Sequence, residues 1–372
     1  MQKLFWYHVL FFLIYYIFAL YSPSDSKGYF SRPQVALDGW LEIYDTGTPF
    51  IDFLGYPFIV KFGFSYEMMM LLFSWLGYWG FVYFYIFFKE NVKHKHTFYG
   101  KDLITIFIFL PNMHYWTASL GKGSIIFWGL ALTTYGISNI SKRKFSIFLG
   151  MLIVYQVRPH VFFVMLGAIL VGFFTGRQKV PFYQKMIVLL AGTATLILMY
   201  DKILAFANLD GDNVFESFDA LSSHRAQELA KSNSGIDISN YPLIFKFFTF
   251  WYRPLFIDSP GPVGLLVSFE NMFYLALTVR LFKGRFLGFF AKSDALVKTS
   301  AVMFLGISFA LSGTLSNLGI IIRQKSMVMY YFLFIILAFL EYKKVLQENK
   351  KNSEAAPVDT ELEVPNNIQL TQ

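Results

Sequence analysis

The chain has no cysteine at all, which excludes a disulfide framework, a thiolate nucleophile and any Cys-ligated metal. Charge is scarce: 15% of 372 residues, too little to solvate the surface of a soluble domain of that size. The Gly-x4-Gly-Lys-Ser/Thr order of a phosphate loop is missing, as is any other nucleotide signature. No internal repeat is visible, so an inverted-repeat transporter gains no support.

What fills the chain is apolar and aromatic. Hydrophobic residues make up 55%, with 45 Phe and 23 Tyr, and the mean hydropathy is +0.47. The apolar runs are continuous rather than alternating, which disfavours a β-barrel. An all-α, polytopic helical membrane protein is expected, because each span must satisfy its own backbone hydrogen bonds in lipid. About ten spans are placed: Leu4 to Leu20, Met68 to Phe88, Leu103 to Trp116, Ser124 to Ile140, Phe145 to Val157, Val161 to Thr175, Met186 to Tyr200, Pro262 to Phe282, Thr299 to Gly313 and Met327 to Leu340. Phe145 to Val157 with Val161 to Thr175 reads equally as a re-entrant hairpin. The first run lacks a small-residue cleavage site and is read as an anchor.

Lys and Arg in short loops mark the cytoplasmic side. With both termini inside, about 20 of the 32 basic residues and about 9 of the 24 acidic ones fall there. The net charge of +8 therefore reports topology in loops beside spans, and no nucleic-acid partner is implied. Residues 1–345 form the transmembrane domain, with long outer segments at 21–67 and 201–261, where interfacial helices are expected, including one over Val35 to Tyr44. The polar residues 346–372 read as a disordered cytoplasmic tail.

Ionisable residues at the outer hairpin ends are the candidate site. Asp25, just beyond the first span, suits a general base acting on a sugar hydroxyl, or else a turn or cap after Pro23. His114 and Lys122 flank an outer turn in which Gly121 and Gly123 allow close approach of a ligand to the lysine, or else belong to an aromatic belt with a snorkelling lysine. Arg158 and His160 interrupt an apolar stretch, either where an arginine needs an anionic partner or as a simple interfacial turn. Arg253 follows an aromatic run. Glu270 lies about 12 Å into its helix, where it pairs with an arginine or works on substrate. Arg323 and Lys325 precede the last span against the positive-inside trend, as expected where an anion is held. Asp38 and Glu42 read as an exposed polar face. Asp210, Asp212, Glu216 and Asp219 offer oxygen ligands for a divalent cation but lack the full calcium loop, and a solvated acidic loop is the better reading. His224 to Lys231 is expected as a short amphipathic helix, and no cofactor is assigned.

Asp25 with Tyr29, the Trp116 to Lys122 turn, Arg158-Pro159-His160, Arg253-Pro254 with Glu270, and Asn317 to Arg323 together resemble the multi-spanning GT-C glycosyltransferases and the related bacterial surface-polysaccharide polymerases. In GT-C enzymes the first outer loop carries an acidic catalytic residue, often in an acidic pair; Ser24-Asp25-Ser26 carries one. Polymerases of the O-antigen type use outer arginines in Arg-x10-Gly patterns, a spacing that Arg253 and Gly264 match once. The resemblance implies an inner-membrane enzyme of surface-polysaccharide biosynthesis acting on polyprenyl-linked saccharide at the external face. Asp25 and Glu270 would be catalytic, and His114, Lys122, Arg158, His160, Arg253 and Arg323 would bind substrate. Single-sugar transferase and repeat-unit polymerase both fit this set. The competing class is a lipid-linked-saccharide flippase, in which the same cations bind without chemistry.

Overall fold

The structure is a computed structural model that describes residues 1–36, 39–177, 241–282, 285–312 and 316–355, with isolated positions between 183 and 238. The acidic cluster at 210–219, the helix at 224–231 and Asp38 lie outside the described residues, and so does most of the expected span Met186 to Tyr200.

The described chain is almost wholly helical; its strands are the two-residue pair β1 (Thr97–Phe98) and β2 (Lys101–Asp102). Among the described residues, four helices are long and apolar enough to cross a membrane: α1 (Gln2–Tyr21), α4 (Tyr66–Asn91), α11 (Gly261–Phe282) and α13 (Ala295–Ser312). A fifth candidate is a bent pair, Leu318–Met327 with Met329–Ser353, which turns by 54° at its break. These match five of the expected runs. Its two parts belong to α14 (Leu318–Gln324) and α15 (Met329–Ala355).

Other expected spans are shorter than lipid thickness requires or are broken. Leu103 to Trp116 is two helices, α5 (Leu103–Ile108) and α6 (Pro111–Thr117), because Pro111 cannot donate to the preceding turn and restricts Leu110 to an extended conformation. Helix α7 (Lys122–Ile137) has 16 residues. The stretch from Phe145 to Thr175 breaks at Arg158 into α8 (Lys144–Val157) and α9 (Pro159–Thr175), again with Pro at the first helical position.

The segment at 21–67, where helices were expected, is largely helical. Helix α2 (Asp25–Val35) starts on Ser24, whose Oγ accepts from the Ser26 amide, and α3 (Thr48–Tyr56) starts on Gly47. The helix therefore largely precedes the stretch expected to hold it, Val35 to Tyr44, whose later described residues form a 3-10 turn, Leu41–Ile43. Helix α10 (Leu243–Tyr252) and the short α12 (Phe286–Ala291) complete the helices of the described residues. Helix α15 continues to Ala355, into residues expected to be disordered.

The centre of the bundle is the first three turns of α15. Every residue from Met327 to Leu337 is buried, as expected for a helix that is apolar all round. Helices α4, α7, α11 and α13 close on it through ring contacts, and small residues permit the tightest approaches elsewhere in the bundle. A β-carbon at Gly77 would meet the Thr117 carbonyl oxygen at 2.1 Å, and one at Gly172 would meet Thr299 Oγ1 at 2.0 Å. That is the small-residue packing of membrane helices, where close contact replaces the hydrophobic drive. The opposite side of α1, with Trp6, Leu10 and Ile17, is exposed and apolar, the composition of a lipid-facing surface.

Candidate functional site

Helices α2, α3, α7 and α14 and the α8–α9 break bring six charged side chains into one electrostatic cluster. Asp25 is the first residue of α2, and Arg323 Nη1 donates to its Oδ2 at 2.5 Å although the two lie 298 positions apart. The Arg323 guanidinium also lies 6.0 Å over the Trp116 ring. One turn along α2, the buried Tyr29 ring packs against the Gly121 turn, where a β-carbon would stand 3.1 Å from the ring. Gly121, at φ +154°, is the residue that permits this. A further turn on, Arg32 lies 4.7 Å over Tyr29 and forks onto Asp52 of α3, Nε to Oδ2 at 2.7 Å and Nη2 to Oδ1 at 2.9 Å.

Lys122, the first residue of α7, lies ahead of that helix's apolar stretch. Its ammonium faces the start of α3, where a β-carbon at Gly47 would stand 3.7 Å from Nζ. Gly47 itself donates to the Gln156 carbonyl at 2.7 Å, tying α3 to the turn that carries Arg158. Burial, then the neighbouring Arg158 and Arg323, push Lys122 down to about 8. Burial and Arg323 likewise push Arg158 down, to about 10, so it stays cationic near neutrality. Burial raises the Asp52 carboxyl despite Arg32. Four cations, Arg32, Lys122, Arg158 and Arg323, thus stand against two carboxylates, Asp25 and Asp52. Arg158 Nε is buried without a hydrogen-bond partner. A buried, charged donor of this kind stays unsatisfied until it meets an acceptor.

The remaining expected site residues lie elsewhere or act differently. His114 is fully buried in the interior, its ring stacked on Phe81 with centroids 3.8 Å apart and planes 2° from parallel. Helix α6 turns it inward, away from the outer turn where the sequence suggested it. Glu270 is buried in α11 and accepts from the Asn112 amide at 2.6 Å and the Tyr274 hydroxyl at 3.2 Å; it anchors α6 to α11. Arg253 pairs with Asp258 at the edge of an open, mostly apolar groove of about 620 Å³ between α10 and the turn that follows it. It reaches the cluster's neighbourhood only through its carbonyl, which accepts from Lys325 Nζ at 2.8 Å. Lys325, wholly buried, also donates to Asn271 Oδ1 at 2.5 Å and pins the break between α14 and α15. His160, half-buried, is the second residue of α9. Among the described residues no group of three or more His, Asp or Glu is disposed to hold a metal.

The sequence reading missed Arg32 and Asp52. The signal was present: Asp25, Tyr29 and Arg32 are spaced i, i+4, i+7, which is one face of a helix. Compared with known proteins, the chain matches no family model, no curated protein and no solved structure.

Proposed function

We propose that this chain is an inner-membrane, GT-C-like glycosyltransferase or repeat-unit polymerase that takes its sugar from a polyprenyl-(pyro)phosphate carrier at the outer face. In this reading the chain has about ten spans, cytoplasmic termini and a role in surface-polysaccharide biosynthesis. The observation that carries it is the unmatched Arg158 Nε beside Lys122 and Arg323.

Phosphate oxygens of the carrier take the place that Asp25 holds on Arg323, with Arg158 and Lys122 sharing the remaining charge. Asp25, released, accepts the proton of the attacking acceptor hydroxyl. The new glycosidic C–O bond forms as the sugar–phosphate bond breaks, and the carrier phosphate leaves with the electron pair, stabilised by the same cations. Glu270 takes no part in these steps, since its oxygens are engaged by Asn112 and Tyr274. The test is reconstitution of the chain with polyprenyl-pyrophosphate-linked saccharide and acceptor. Asp25→Asn is expected to bind carrier and form no product. Movement of intact carrier between leaflets, with no bond exchanged, would replace this reading with the flippase.

A further inference from the structure

His114 is left over from the anion site, and its contacts impose a proton count. His8 of α1 and His114 of α6 face each other through their Nδ1 atoms at 2.9 Å. The other ring nitrogens both face carbonyl oxygens: His8 Nε2 lies 3.0 Å from the Ser74 oxygen, and His114 Nε2 lies 2.8 Å from the Ile108 oxygen. Carbonyl oxygens only accept, so both Nε2 atoms carry hydrogen. A neutral imidazole has a single N–H, so two neutral rings in this arrangement would confront bare lone pairs at 2.9 Å. A third proton turns that repulsion into an N–H···N bond and leaves one positive charge on the pair.

The surroundings suit such a charge. His114 lies flat on the face of Phe81 at 3.8 Å and meets Tyr7 edge to face at 4.8 Å. A desolvated cation over an aromatic face is favourable. The titratable groups around the pair are Tyr7 on α1, Tyr78 on α4, which lies 6.2 Å from His8, Glu270 on α11, which binds the amide of Asn112 two residues from His114, and Tyr330 on α15, which packs 6.2 Å from Phe81. Proton binding is favoured as pH falls, so the bridged form belongs to the acidic side of the titration.

We propose that His8 and His114 form a proton-binding site inside the bundle, and that the bound proton clamps α1 to α6. Helix α6 also carries Asn112, whose Nδ2 donates to the Ile322 carbonyl at 3.1 Å, and Trp116 beneath Arg323. The clamp therefore reaches the segment that presents Arg323, whatever anion that arginine serves.

The test is nitrogen-15 NMR of histidine-labelled full chain in lipid nanodiscs, from about pH 5 to 8. The His8 signals are assigned by their loss in His8→Gln, and the His114 signals by their shift in the same variant. At the acidic end one proton shared between the Nδ1 atoms is expected, with both Nε2 atoms protonated. Raising the pH should remove one proton per chain. Backbone hydrogen exchange of residues 111–117, corrected for intrinsic rate, should then rise in the wild type and stay level in His8→Gln, whose amide does not titrate. Two neutral rings with both Nδ1 atoms bare at every pH would overturn the site. Exchange at 111–117 that ignores the proton would overturn the clamp. The wild-type spectrum decides the first point even if a His114 variant fails to fold.

Discussion

Asp25 and Arg323, at opposite ends of the chain, meet in a single ion pair of 2.5 Å in which the Asp25 side chain is largely exposed and the Arg323 side chain mostly covered. The carboxylate thus occupies the arginine that a substrate phosphate would need. Removing its charge frees that arginine. Asp25→Asn should bind inorganic pyrophosphate about two- to fivefold more tightly, the ratio that an exposed ion pair of up to 1 kcal/mol corresponds to. Arg323→Gln should weaken binding instead. Isothermal titration of the two variants checks the opposite signs, and weaker binding in both would mean that Asp25 does not compete with the anion.

Lys122, pushed down to about 8, gives that binding a pH dependence. An anion prefers the ammonium, so affinity should fall as pH rises through about 8 and level off above it. Lys122→Arg should move the fall beyond the accessible range, while Lys122→Gln should cost about tenfold at pH 7 and flatten the profile. For the empty protein the sign reverses. The folded chain releases this proton more readily than the unfolded chain does, so Lys122 opposes folding below about 8, and stability rises with pH from there toward the ordinary lysine value. Thermal unfolding across that window, wild type against Lys122→Gln, measures the effect.

The pair of Arg32 and Asp52 docks α2 on α3. Asp52 is mostly buried while Arg32 is nearly half exposed, so removal of one partner should cost about 1–2 kcal/mol, less than a fully buried pair would. Asp52→Asn should also increase proteolytic cutting of residues 25–56 in the native protein. Unchanged cutting would show that apolar packing alone holds these helices.

Packing between α9 and α13 depends on Gly172, where a β-carbon would reach Thr299 Oγ1 at 2.0 Å and the Ala295 carbonyl at 2.7 Å. Gly172→Ala should destabilise the bundle by about 1–3 kcal/mol, seen as a lowered midpoint of thermal unfolding in detergent. Gly167→Ala, on the same helix with nothing within 4 Å, is the control and should be neutral or slightly stabilising.

Because the chain lacks cysteine, single substitutions report sidedness directly. Ser31→Cys on α2 and Ser141→Cys after α7 are both exposed positions. In intact cells an impermeant maleimide should label the first and spare the second. The reverse pattern would place the cation cluster in the cytosol and end the proposal for an outer-face enzyme.

Class and the long spans were legible from composition and run length, since an apolar stretch the thickness of a bilayer has few alternatives to a helix. The breaks were legible in part: Arg158-Pro159 announced itself as an interruption, whereas the Pro111 break was read through as one span. Charge type and spacing also identified Asp25, Lys122, Arg158 and Arg323 as candidates. They were silent on which of these meet, because contact between residues 298 positions apart depends on how helices pack, and no local pattern encodes that. Tertiary structure alone turned His114 inward onto Phe81 and His8, committed Glu270 to the Asn112 amide, and set Arg253 on its own carboxylate. The physical reason is that a buried polar group takes whichever partner packing presents to it; sequence determined which groups needed partners, and the fold decided which partners they found.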